Sequence, residues 1–184
     1  MKAVFLDRDG TLIVERGYIT VPEGVELISG AGAAVARLRA AGWKVFVVTN
    51  QGSVAKGMIT EEELGLIHIR MLSLLSESGA LIDGVYYCPH HPDGDQIQYA
   101  VECDCRKPRP GLLERAAGEH DIDLAESIMI GDSLRDLEAG KAAGARAVLV
   151  LTGHGAQTVT EEHQAVHVAP DLAAAVEWLL AQPR

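Results

Sequence analysis

The stretch Val4-Phe5-Leu6-Asp7-Arg8-Asp9-Gly10-Thr11-Leu12 decides how this sequence is read. Its apolar start has the composition of a short buried strand, and Asp7-Arg8-Asp9-Gly10 ends that strand abruptly. In a parallel sheet, ligands collect beyond the carboxyl ends of the strands, so two acids at such an end lie where chemistry is usually done. Gly10 lets the chain turn there, and both Asp7 and Asp9 can then face one pocket. Two acids so placed suit phosphoryl transfer. One attacks phosphorus and becomes a phospho-aspartate, while the other protonates the leaving oxygen and later takes a proton from water. Asp and Gly are also ordinary turn residues, so the tetrapeptide by itself fits a solvated turn as well.

Working outward, polar clusters recur after each apolar run. A polar loop, Glu15-Arg16-Gly17-Tyr18, follows the first strand and is placed to fold over the site. Gly30-Ala31-Gly32 opens an Ala-rich helix to about Ala41; with no strand leading into it and no third glycine, it reads as a close-packed helix start rather than a dinucleotide fingerprint. Lys44 to Val48 is a second buried strand, followed by Thr49-Asn50-Gln51-Gly52, a hydroxyl and an amide able to donate to a phosphate oxygen. Thr60 and Glu63 form a capping box, and Leu64, Ile67, Met71, Leu74 and Leu75 then recur at helical spacing. His68 and His120 fall within helical patterns and read as packing or surface residues. Gly84 to Tyr87, Ser127 to Ile130 and Ala145 to Leu151 are further strands, with Val166 to Ala169 a short edge strand and Asp171 to Ala181 a terminal helix. Gly131-Asp132-Ser133 ends the fourth strand with a third acid. Asp136, one turn on, either supports it or lies on the helix face.

The 184 residues suffice for a single domain, residues 1–184, with a real core. No apolar run reaches the ~20 residues that span a bilayer. The N-terminus reaches Asp7 too soon for a signal peptide's apolar core, so a cytoplasmic protein is expected, as a monomer without membrane partners. With 26 acidic against 16 basic residues, net charge −10, nucleic acid is a poor partner, because its binding depends on clustered Lys and Arg. A small phosphate ester remains suitable where a metal and local cations offset the field.

The segment 88–107 breaks the rhythm of strands and helices. Cys88, His90, Cys103 and Cys105 offer three thiolates and an imidazole at the two ends of one polar loop, twelve residues lying between His90 and Cys103. That is a full tetrahedral set for structural zinc, and the loop has too little apolar content to order itself by packing. His91 is the alternative to His90, and spacing does not separate them. The loop ends at Arg106-Lys107.

Strands alternating with helices imply a three-layer α/β/α Rossmann-like sandwich on a parallel sheet. Each polar cluster falls at or just past a strand's carboxyl end, so all gather on one edge of the sheet. The connections after the first and third strands are too short for a large cap domain, which leaves the zinc-bound loop and the Glu15 loop to cover a small substrate.

These residues carry a resemblance. Asp-x-Asp-Gly-Thr, a Thr ending the second strand, a Lys before the fourth and Gly-Asp ending it resemble the haloacid dehalogenase-like hydrolases. Tyr-Tyr-Cys-Pro-His-His-Pro and Cys-Asp-Cys-Arg-Lys-Pro resemble that family's zinc-loop phosphatases, and the similarity runs from Val4 to about Gly153. The resemblance implies Asp7 as nucleophile and Asp9 as general acid/base, with Thr49 and Lys107 holding the transferring phosphoryl group. It implies Glu15, Arg16, Gly17, Tyr18, Asn50, Gln51, Gly52 and Arg106 as substrate contacts. It implies catalytic Mg²⁺ on the Asp7 carboxylate, the Asp9 carbonyl and Asp132 with Ser133 nearby, and structural Zn²⁺ on Cys88, His90, Cys103 and Cys105. The substrate so implied is a small phosphorylated sugar, a heptose 1,7-bisphosphate losing its 7-phosphate. Histidinol phosphate or another small phosphomonoester is the alternative. Two departures from the family pattern, Glu15-Arg16 in place of Asp-His and Gly52-Ser53 in place of Ser-Gly, both fall on the substrate side.

Overall fold

The computed structural model describes residues 1–182. Among them, six strands form a parallel sheet: β1 (Ala3–Leu6), β2 (Lys44–Asn50), β3 (Gly84–Cys88), β4 (Ile128–Gly131), β5 (Arg146–Val150) and β6 (His167–Ala169). Their order is β3-β2-β1-β4-β5-β6. The apolar runs are buried on both faces, as expected of strands sandwiched between helices. Val4 and Leu6 of β1 join the larger core with α1 (Ala31–Ala40), α3 (Glu61–Glu77) and α7 (Leu172–Leu180). Ala3 and Phe5 point the other way, into a core shared with α4 (Gly111–His120) and α5 (Leu134–Ala142). Two single turns, α2 (Gly52–Ala55) and α6 (Gly155–Thr158), lie just past β2 and β5. None of the helices described is long and apolar enough to cross a membrane.

The strand order places the site. From β1 the chain builds outward to β2 and β3, then returns to lay β4 against the other side of β1. The order therefore reverses between β1 and β4, and a crevice opens beyond their carboxyl ends. Leu6 pairs with Ile130 and with Val47, so Asp7 emerges level with Gly131 on one side and Val48 on the other. Between β1 and α1 the only helical or strand element is a 3-10 turn at Pro22–Gly24, and between β3 and α4 there is none, so no cap is inserted in either.

Most element boundaries fall within a residue of the sequence reading, with one informative exception. The second strand runs on through Thr49 and Asn50, because these pair with Tyr87 and Cys88 of β3. The strand ladder itself thus carries two cleft residues, which a turn reading leaves on a loop. The capping box of α3 is present, and Asp171 caps α7 from outside the helix through the Ala174 amide. His68 is a packing residue, buried with its ring 5.5 Å from that of Tyr87. His120 packs on Phe46 at 4.8 Å.

Candidate active site

Asp7 is fixed at the end of β1 by its amide, which donates to the Ile130 carbonyl at 3.0 Å. Across the crevice the Lys107 Nζ spends its protons on Asp7 Oδ1 (2.7 Å), Asp136 Oδ1 (2.6 Å) and the Val48 carbonyl (2.8 Å). Lys107 arrives on the far end of the cysteine loop and is held by its backbone. Its amide donates to Asn50 Oδ1 and its carbonyl accepts from Asn50 Nδ2, each at 3.0 Å. The Asn50 side chain is therefore engaged with the Lys107 backbone. Asp136 is also accounted for: its Oδ2 accepts from the Ser133 amide and hydroxyl at 3.0 and 2.7 Å, and it sits on the first turn of α5.

Asp132 is positioned by shape. Gly10 (φ +80°) and Gly153 (φ +56°) close on its carboxylate from two sides, and a Cβ built on either would come within 2.1 Å of Asp132 Oδ2. Both positions need the left-handed backbone that glycine adopts freely, and both need the missing side chain. The His154 amide donates to that same oxygen at 2.7 Å, and Thr152 Oγ1 donates to the Gly10 carbonyl at 2.6 Å. Asp9 lies on the same cleft, clamped by a network of its own. Arg8 Nε and Nη2 each donate to it at 3.0 Å, and Gln51 Nε2 donates to it at 2.9 Å and to Thr49 Oγ1 at 2.8 Å. Arg8 Nη2 also reaches Gln51 Oε1 at 2.8 Å. Arg8 is only 1% exposed, an unusual place for a guanidinium unless a carboxylate holds it there.

So many acids crowded around one lysine perturb one another. Burial, reinforced by Asp136, Asp132 and Asp9, outweighs Lys107 and pushes the Asp7 carboxyl up to about 8. Burial likewise pushes Asp132 up to about 6, against the His154 amide that favours its ionised form. Carboxylate oxygens of Asp7, Asp132 and Asp136 lie within 4.8 Å of one another. Asp136 is already spoken for by Lys107 and Ser133, so Asp7 and Asp132 are the hard oxygen donors left to a cation. Such a donor set fits a magnesium ion, which is held by few carboxylates and keeps several waters.

Asp7, Asp9, Thr49 and Lys107 are thus brought together, with Asp132 and Ser133 beside them and Glu15, Gly17, Tyr18, Asn50, Gln51 and Gly52 around the same cleft. Two expected substrate contacts do not line it. Arg16 is drawn away by an ion pair with Glu26, and Arg106 donates to the His90 carbonyl at 2.9 Å. The sequence reading missed Arg135 and His154, which line the cleft, and Arg8. For Asp136, left open between two roles, the capping-box pattern Ser133-x-x-Asp136 was the available signal.

The second cluster is at the cysteine loop. Cys88, Cys103 and Cys105 place their sulfurs 3.1 to 3.5 Å apart, and His90 Nδ1 lies 3.6 Å from Cys88 and 3.3 Å from Cys105. These separations are too long for disulfides and close to the edges of a tetrahedron built from metal–ligand bonds of about 2.0–2.3 Å. Burial and the adjoining thiols push the Cys88 thiol upward, so its thiolate form, the one that binds metal, needs a cation beside it. His91 faces elsewhere: its Nδ1 accepts from the Asp93 amide at 3.1 Å. Geometry therefore selects His90.

A family model described as HAD-hydrolase-like matches residues 104–175. The chain is 40% identical over 179 residues to the D-glycero-beta-D-manno-heptose-1,7-bisphosphate 7-phosphatase of Yersinia pestis, covering 97% of this chain and 89% of that protein. It is 41% identical over 185 residues to the D-glycero-D-manno-heptose-1,7-bisphosphate 7-phosphatase of Thermosynechococcus vestitus, covering 96% and 94%. Among solved structures, that of D,D-heptose 1,7-bisphosphate phosphatase from B. bronchiseptica complexed with magnesium and phosphate matches with a TM-score of 0.88 at 38% identity, over 98% of each chain. By sequence along nearly its whole length and by fold, the chain belongs to the D-glycero-D-manno-heptose-1,7-bisphosphate 7-phosphatases of the haloacid dehalogenase-like hydrolases.

Proposed function

We propose that this chain, acting as a single domain, removes the 7-phosphate of D-glycero-D-manno-heptose 1,7-bisphosphate through a phospho-aspartate on Asp7. The observation that carries the reading is the buried Lys107 Nζ, 2.7 Å from Asp7 Oδ1 and backed by Asp136. It places a fixed positive charge beside a carboxylate that must approach a phosphate dianion. The Asp7 oxygen bonds to phosphorus as the bond to the sugar oxygen breaks, and Asp9 gives that oxygen its proton. Asp9 then takes a proton from water as the water oxygen bonds to phosphorus and the bond to Asp7 breaks, releasing inorganic phosphate. Thr49 and Lys107 steady the transferring group, so the work is mostly positioning and charge stabilisation. Magnesium held by the Asp7 and Asp132 carboxylates and the Asp9 carbonyl, with Ser133 beside them, would supply charge against the nucleophile–phosphate repulsion.

The names and magnesium of the relatives support this sugar and this ion for the present chain. Phosphate release from the heptose bisphosphate should exceed that from histidinol phosphate by at least about a hundredfold in kcat/KM, a difference of about 2.7 kcal/mol in transition-state stabilisation. Equal turnover of the two would reject the sugar assignment and leave only a general phosphomonoesterase.

Zinc on Cys88, His90, Cys103 and Cys105 is the structural ion that suits three thiolates and an imidazole. Freshly purified protein should hold one zinc per chain, and a Cys105→Ser variant should lose it. Removing the metal should lower the thermal midpoint by about 5–10 °C, because loss of a few kcal/mol shifts a chain of this size by about that much. An unchanged midpoint after complete chelation would show that the loop is ordered by other means.

A further inference from the structure

Asp9 is gripped from its buried side and open on its cleft side. The Arg8 side chain is 1% exposed and that of Asp9 15%, and Asp9 lines the cleft. Arg8 Nε donates to Asp9 Oδ2 and Nη2 to Asp9 Oδ1, each at 3.0 Å. Nη2 also donates to Gln51 Oε1 at 2.8 Å, and Gln51 Nε2 closes the ring by donating to Asp9 Oδ2 at 2.9 Å. Arg8 carries no acceptor, so Oε1 is the end of the amide that faces it and Nε2 the end that faces the carboxylate. The resemblance implies Gln51 as a substrate contact, but the side chain is buried and protein groups engage both ends of its amide.

Stability does not call for this ring. Arg8 Nη1 is buried without a hydrogen-bond partner, and among the described residues Asp9 is the one carboxylate within ion-pair distance of the guanidinium. Apolar side chains in place of a buried ion pair often serve a fold as well or better, so the arginine is explained by what it does to Asp9. The backbone under both residues is already fixed, since the Arg8 carbonyl accepts from the amides of Leu12 and Ile13 at 3.0 Å each. A carboxylate offers about four lone-pair sites, shared equally by its oxygens. Arg8 and Gln51 together fill both sites of Oδ2 and one of Oδ1. The site left over is on Oδ1, and the open side of the residue is the cleft.

We infer that Arg8 and Gln51 are positioning residues that select Oδ1 of Asp9 as the oxygen that handles the proton, by occupying every other acceptor site of that carboxylate. Neither touches the reacting atoms; both act through Asp9. The proton on Oδ1 passes to the leaving sugar oxygen as its bond to phosphorus breaks, and Oδ1 recovers a proton from the water that attacks the phospho-aspartate. The inference rests on the proposed reading of the reaction, in which Asp9 is the acid, and deepens it. The planar guanidinium fork fixes the carboxylate in direction as well as distance, which an ammonium cannot do.

The test uses the leaving group. A sugar alkoxide needs a proton to depart, whereas the nitrophenolate of 4-nitrophenyl phosphate departs without one, and kcat/KM reports the steps up to that departure. Arg8→Lys keeps the buried charge but not the fork, and Gln51→Met keeps the volume but not the amide, so both leave the core filled. In each, kcat/KM for heptose 1,7-bisphosphate should fall at least about tenfold further than kcat/KM for 4-nitrophenyl phosphate, the scale on which a misplaced proton donor is felt. Losses equal on the two substrates would mean that the pair acts on Thr49 or on the fold as a whole, and overturn the inference. Asp9→Asn separates this from the reaction itself. If Asp9→Asn shows the selective loss on the sugar and neither Arg8→Lys nor Gln51→Met does, the positioning role alone is overturned. If Asp9→Asn loses no more on the sugar than on the aryl ester, Asp9 is not the acid, and the underlying reading falls with the inference.

Discussion

Replacing Asp7 by Asn lowers kcat by at least about 10⁴-fold, the scale on which loss of a covalent nucleophile is felt, yet leaves the chain folded and no less stable. The amide has nearly the shape of the carboxylate and can still accept from Lys107 Nζ through Oδ1, but its oxygen is not a nucleophile at phosphorus. The stability half follows from the crowding of charge. A carboxyl pushed up to about 8 by burial and by neighbouring acids is one whose ionised form the fold disfavours. Below the ordinary carboxylate range both folded and unfolded chains carry it neutral and the penalty is absent. It grows as pH rises toward 8 and is complete above that. Without divalent cations, the Asn variant should therefore gain on the wild type in thermal midpoint between pH 5 and pH 8. The same charge that makes the site reactive works against the fold, a common relation between activity and stability. A variant that keeps more than a hundredth of wild-type turnover would remove Asp7 from the chemistry. One whose midpoint falls relative to wild type as pH rises would refute the account of the charge.

How much of this could be read from the sequence depends on the range of each interaction. The sheet was legible because its strands are short apolar runs cut off by Gly, Asp and Thr. The acids at the ends of β1 and β4 were legible because those cuts repeat the same chemistry. The cysteine loop was legible from residue type alone. What sequence withheld was pairing over distance. Asn50 clasps the backbone of a residue 57 positions away, and nothing local to either distinguishes that from an amide free to meet phosphate. Arg8 reads as a surface residue by type, and only the approach of Asp9 and Gln51 explains its burial. Arg16 looks like a substrate contact until Glu26, ten positions on, takes its charge. Gly10 and Gly153 reveal their shared purpose only when the Asp132 carboxylate is seen between them. His90 and His91 are alike in sequence, and the fold separates them by turning one toward sulfur and the other toward the Asp93 amide.

Replacing Lys107 by Met should cost both activity and fold. The side chain is 2% exposed, and methionine fills a similar volume, so the change removes charge and hydrogen bonds with little change in packing. Asp136 is 1% exposed and gives Oδ1 to Lys107 alone. Without the ammonium, that oxygen, Asp7 Oδ1 and the Val48 carbonyl all lose a buried donor. Breaking a buried ion pair from one side destabilises by about 3–5 kcal/mol, because the partner's charge is left uncompensated. Turnover should fall by about 10³-fold or more, since the fixed charge beside Asp7 also steadies the transferring phosphoryl group. Urea unfolding without divalent cations separates the two parts of this argument. If the loss comes from the abandoned carboxylate, then Lys107→Met/Asp136→Asn should be less destabilised than the sum of its single changes, with a coupling on the order of 1–3 kcal/mol. Magnesium should restore part of the stability of Lys107→Met, because a cation between Asp7 and Asp132 offsets some of the same charge. Strictly additive single changes would instead mean that Lys107 stabilises the fold by packing, and that the acids around it tolerate one another unaided.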